Sequence, residues 1–125
     1  MVQSAAFVAR PEHTITVTPF LGRVAVTFKG ALVAVTERAL QLNEGGNPPV
    51  FYVPRADCKL EHFIETDHQT ISPFKGTARY WSLSSKDGTA DNAVWSYEMP
   101  YDQVSDIGGH VAFYSDKVDI RANGR

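Results

Sequence analysis

Short runs in which apolar and polar residues alternate, each closed by glycine or proline, constrain this chain more than any other feature. Residues 13–19 set Ile15 and Val17 on one side and Thr14, Thr16 and Thr18 on the other. Residues 23–29 repeat the pattern with Val24, Val26 and Phe28. A period of two belongs to a strand with one buried face. Gly30 then turns the chain into a strand over 31–35, and Val50, Phe51, Tyr52 and Val53 make a β-branched and aromatic strand that Pro54 stops.

The remaining segments follow from these. Residues 36–44 fit a short helix or a strand. The strand is preferred because every neighbouring run has period two, and it places Arg38, Leu40, Leu42 and Glu44 on one face. Residues 55–57 read as a tight turn. Residues 59–64 read as a strand, with a short helix as the alternative, and 66–69 as a loop. Residues 76–84 are expected to pair with 92–99 across a loop at 85–91. A connector at 100–106 carries one helical turn, and 111–114 with 117–120 form a closing pair of strands. The fold class is all-β, with short connectors and at most one or two single-turn helices.

A chain of 125 residues is expected to form one domain. Residues 1–12 read as a flexible N-terminus without a signal peptide, and 13–122 as the domain. Twelve basic and 14 acidic residues leave a net charge of −2, which argues against nucleic acid or an anionic membrane as partner. One cysteine excludes an intrachain disulfide and fits a reducing, cytoplasmic location. No run is long enough for a transmembrane helix. His13, His62, His68 and His110 show no zinc-type spacing, so neither metal nor cofactor is predicted.

The centre of the chain, Ser72-Pro73-Phe74-Lys75-Gly76, holds a charge where the backbone is constrained. Pro73 fixes its own φ, and Gly76 admits angles that a β-carbon disfavours. Lys75 is therefore a candidate clamp for phosphate or carboxylate, although neither phosphate-loop spacing, G-x-x-x-x-G-K-[ST] or G-x-G-x-x-G, is present. Arg38 and Glu44 read as an ion pair at a sheet edge or as the polar floor of a pocket. Tyr52, Tyr80, Trp95 and Tyr97 form part of a core or a pocket wall. Asp57 reads first as a turn residue, and Cys58 as a buried, inert thiol.

From about Arg23 to Ile120 the chain resembles the domain of unknown function 427 family, small and mainly bacterial proteins that carry a nucleotidyltransferase-like label. The matching residues are Arg38-Ala39-Leu40 with Glu44, Pro49, Tyr52-Val53-Pro54-Arg55 and Asp57. The strongest block is Thr70, Pro73, Lys75-Gly76, Ala78 and Tyr80, followed by Trp95, Tyr97, Pro100, Ile107 and Ala112-Phe113-Tyr114. The family pattern usually has cysteine where Ser72 stands. The resemblance implies a β-tent-like arrangement of two small antiparallel sheets, similar to B-type methionine sulfoxide reductases, without the paired Cys-x-x-Cys motifs that bind zinc in many such proteins. It implies no established activity, and it groups Arg38, Glu44, Tyr52, Lys75, Tyr80 and Trp95 as one ligand-binding site.

Three functional readings follow. The first is a binding module for a small anionic ligand in a polar and aromatic pocket. The second is an enzyme using the same pocket, with Glu44, Asp57 and Lys75 as catalytic candidates. The third is a docking module whose charged block only holds the sheets together. The sequence assigns neither a reaction nor an oligomeric state.

Overall fold

The computed structural model describes residues 14–124. The expected flexible N-terminus, 1–12, lies outside them, as does His13. The described residues form ten strands: β1 (Ile15–Pro19), β2 (Gly22–Phe28), β3 (Ala31–Thr36), β4 (Leu40–Glu44), β5 (Val50–Pro54), β6 (Phe63–Ser72), β7 (Gly76–Ser85), β8 (Gly88–Ser96), β9 (His110–Phe113) and β10 (Asp119–Gly124). The helical elements are 3-10 turns at Arg55–Asp57, Leu60–His62 and Asp102–Ile107. The chain is all-β, with two antiparallel sheets ordered β1-β4-β5-β9-β8-β7-β6 and β10-β2-β3.

Alternation along the strands divides the interior in two. Val24, Val26 and Phe28 from β2 join Val33 and Ala34 from β3. They meet Val53, Leu83, Val94, Val111 and Phe113 of the larger sheet. The residues next in line on that sheet, Tyr52, Tyr80 and Ala112, belong to a second cluster with Leu42, Ala78 and Tyr97. Val104 and Ile107, both buried, bring the Asp102–Ile107 turn into this cluster. The larger sheet is thus apolar on both faces.

Several local expectations are corrected. The strand within 36–44 begins only at Leu40, because 37–39 form a bend in which the Phe20 N–H bonds the Ala39 carbonyl. Leu40, Leu42 and Glu44 therefore share strand positions, but Arg38 does not. Within 59–64 the short-helix alternative holds at Leu60–His62, and the strand starts only at Phe63. Residues 66–69 lie inside β6, where the register to β7 shifts between Glu65 and Gln69. The long loop at 85–91 is instead a two-residue turn, Lys86-Asp87, closed by the Ser85–Gly88 pair. The two closing strands do not pair with each other. β9 joins β8 and β5, whereas β10 joins β2. A turn closed by the Lys117 N–H on the Tyr114 carbonyl (3.0 Å) carries the chain between sheets.

Candidate functional site

The second cluster contains most of the predicted site. Its charged element is an ion pair between Lys75 Nζ and Glu44 Oε1 at 2.8 Å, with side chains only 15% and 17% exposed. Glu44 is held at the end of β4. Lys75 is held in the turn between β6 and β7, where its carbonyl accepts the Tyr101 N–H (3.1 Å). The turn is shaped by Ser72, whose Oγ accepts the N–H groups of Phe74 (3.3 Å) and Lys75 (3.2 Å). Gly76 leaves the turn at φ 118°, a region where a β-carbon is strained.

The aromatic residues lie alongside. Trp95 Nε1 donates to the Tyr52 hydroxyl (3.2 Å), and their rings meet edge to face at 6.4 Å. The Tyr80 hydroxyl bonds Thr70 Oγ1 (2.9 Å) and the Tyr114 hydroxyl (3.3 Å). Trp95 and Tyr114 are 4.6 Å apart between ring centroids. Burial, with smaller contributions from Tyr80 and Glu44, pushes Tyr97 up to about 12, opposed by a hydrogen bond with Ser72. Burial also raises Tyr52 above the usual tyrosine range, opposed by Trp95. Glu44, Tyr52, Lys75, Tyr80 and Trp95 thus come together, with Tyr97 and Ser72 among them.

Arg38 does not join this group, and its partner is not Glu44. Its Nε and NH2 bind Asp57 at 3.2 and 3.0 Å, with the arginine side chain 65% exposed. Thr36 Oγ1 donates to the same carboxylate at 2.6 Å and accepts the Arg38 N–H at 2.9 Å. Hydrogen bonds from Arg38 and Thr36 hold Asp57 below the usual carboxylate range. Asp57 thus fastens the bend before β4 to the turn after β5. Cys58, half-buried, is pushed up to about 12 by burial and by Asp57, so little of it is nucleophilic thiolate near neutral pH. The three catalytic candidates therefore divide between two ion pairs: Glu44 with Lys75, and Asp57 with Arg38. Among the described residues, no three His, Cys, Asp or Glu side chains lie together as a metal-ligand group.

The pocket with the most distinctive chemistry lies on residues outside the predicted set. It measures about 320 Å³ and is lined by Arg55, Leu60, Phe63, Glu65, Arg79 and Trp81. The guanidinium groups of Arg55 and Arg79 lie 4.9 and 5.5 Å from the Trp81 ring centroid. Both approach Glu98, Arg55 closely and Arg79 at 3.8 Å, while Arg79 also pairs with Glu65. Arg79 and Trp81 sit two residues apart on β7, and Arg55 arrives in the turn after β5. The available sequence signal was the strand reading of 76–84, which places Arg79 and Trp81 on one face. Nothing local connected it to Arg55.

The family model described as "Domain of unknown function (DUF427)" matches residues 16–124. No curated protein matches the chain significantly.

Proposed function

The chain belongs to the DUF427 family, and from that premise we propose that it is a binding module for a small anionic ligand with a planar part, seated against Trp81. The observation that carries this reading is the convergence of two guanidinium groups on one indole in an open pocket. Guanidinium forks suit carboxylate or phosphate oxygens, and the indole offers a flat apolar surface. A volume of about 320 Å³ is within the range of small-ligand sites. Glu98 positions both arginines before a ligand arrives, which lowers the cost of ordering them. Glu65, 60% exposed at the rim, occupies the arginine position that a ligand anion would take. The Glu44–Lys75 pair and its tyrosines support the site from behind: they fix the turn from which β7 carries Arg79 and Trp81.

The test is a thermal-shift and tryptophan-fluorescence screen with aromatic carboxylates, sugar phosphates and nucleotides. One compound class is expected to stabilise the wild type by about 2.7 kcal/mol at a hundred times its Kd. Arg55→Gln and Arg79→Gln should each weaken binding at least about tenfold, a loss of about 1.4 kcal/mol. Glu65→Gln should strengthen it by removing the competing carboxylate. Binding that is indifferent to all three substitutions, or no stabilising class at all, would reject this site.

A further inference from the structure

A separate pocket of about 490 Å³ opens where a hairpin from each sheet meets the Leu60–His62 turn. Lys29, Gly30, Ala31, His62, Ser85, Lys86 and Asp87 line it. We propose that this pocket binds a phosphate dianion, free or as the phosphomonoester of a small molecule.

Lys29 supplies the main argument. It occupies the first position of the two-residue turn between β2 and β3, with φ 46° followed by 81° at Gly30. That geometry favours asparagine, aspartate or glycine, so lysine is not there as a turn former. Its side chain crosses to the other hairpin. A β-carbon built on Gly88 would stand 2.9 Å from Lys29 Cε and 3.0 Å from Cδ. Glycine at 88 therefore leaves room for the lysine stem to lie against the β7–β8 hairpin. Lys86 sits at the tip of that hairpin. Among the described residues, neither Lys29 nor Lys86 forms an ion pair.

Two ammonium groups on different hairpins, against the single carboxylate of Asp87, leave the lining positive. Point-charge ammonium donors suit a tetrahedral dianion approached from several sides, whereas a planar carboxylate favours an arginine fork. The His62 Nδ1–H donates to the Ser84 carbonyl at 2.9 Å, so any bond from this ring to an occupant uses Nε2. The volume exceeds that of phosphate alone, and Gly30 and Ala31 offer apolar surface to a small organic group.

The full chain would be titrated with inorganic phosphate and with phenyl phosphate, against chloride at matched ionic strength. Amide NMR shifts and calorimetry would be followed together. Saturable shifts are expected at residues 29–31 and 85–88, with affinity falling at least about tenfold in Lys29→Gly and Lys86→Gln. Lys29→Gly suits the turn better than lysine, so it should fold at least as stably as the wild type. Arg79→Gln, in the other pocket, should leave the titration of the shifts at 29–31 and 85–88 unchanged, whatever it does to binding against Trp81. Tighter binding of phenyl phosphate would identify a phosphomonoester site, and equal binding a site for the free anion. Shifts at these residues that chloride reproduces, no shift at 29–31 or 85–88, or unchanged affinity read at these residues in both lysine variants would overturn the proposal. The wild-type shift map decides even if a variant fails to fold.

Discussion

Lys75 and Glu44 show why a charge pair inside a sheet protein is informative. At 2.8 Å and more than four-fifths shielded, each lost most of its hydration on folding and recovers part of it through the other. Such a pair adds little net stability compared with apolar residues of the same size, but removing one partner leaves the other charge largely buried without its counter-ion. Lys75→Met or Glu44→Leu alone should therefore cost about 2–4 kcal/mol in urea unfolding. The double variant should recover most of that loss. If each single substitution proves neutral, the pair is open to water and has no structural part. If the double variant stays as unstable as either single one, its hydrogen bonds to surrounding groups matter more than the mutual attraction.

At the scale of elements, the β6–β7 turn depends on one hydroxyl. Ser72 satisfies two backbone N–H groups and interacts with Tyr97. Ser72→Ala should cost about 1 kcal/mol and loosen the turn that presents Lys75. Hydrogen exchange at the amides of Phe74 and Lys75 would report it; unchanged protection would place the ordering elsewhere, for example in the Tyr101 bond to Lys75. Elements with one buried face were legible in the sequence: β2, β3 and β5 fall within about one residue of their expected positions. The polar run at 85–91 was not, because Thr89 and Asp91 point outward from a ladder that backbone hydrogen bonds hold. Residues 66–69 were hidden for the same reason, as mostly exposed residues on an edge strand whose bulge breaks the alternation. The grouping of Glu44, Tyr52, Lys75, Tyr80 and Trp95 was legible through strand faces and the central turn. Arg38 escaped it because it sits in a bend, where period two says nothing about direction. The meeting of Arg55 with Trp81, and of Lys29 with Gly88, depends on tertiary approach that no local pattern encodes.

For the whole molecule, the tyrosine network predicts the shape of stability against pH. Burial raises Tyr52, Tyr97 and Tyr114 above the ordinary tyrosine value of 10.0, the latter two to about 12, and raises Cys58 from 9.0 to about 12. The folded chain therefore holds these protons more tightly than the unfolded one. Their contribution is complete below the ordinary values, falls as pH rises past 9 to 10, and is lost by the raised values. Within that window Tyr52, Tyr97 and Cys58 each steepen the decline by about 1.4 kcal/mol per pH unit where they ionise only on unfolding, and the more exposed Tyr114 contributes less. Asp57 acts with the opposite sign: its lowered value stabilises the fold above the ordinary 3.8, and that contribution disappears as pH falls below it. Urea midpoints measured across pH, with tyrosinate absorbance recorded on the same samples, should show a neutral plateau with a steep alkaline edge. On that edge, ionisation of the buried tyrosines and unfolding should coincide, because Tyr52 and Tyr97 lie in the cluster that joins β4, β5, β7 and β8. If Tyr52 and Tyr97 titrate near 10.0 while the fold persists, that cluster is solvent-accessible and the core on this face of the larger sheet opens without global unfolding.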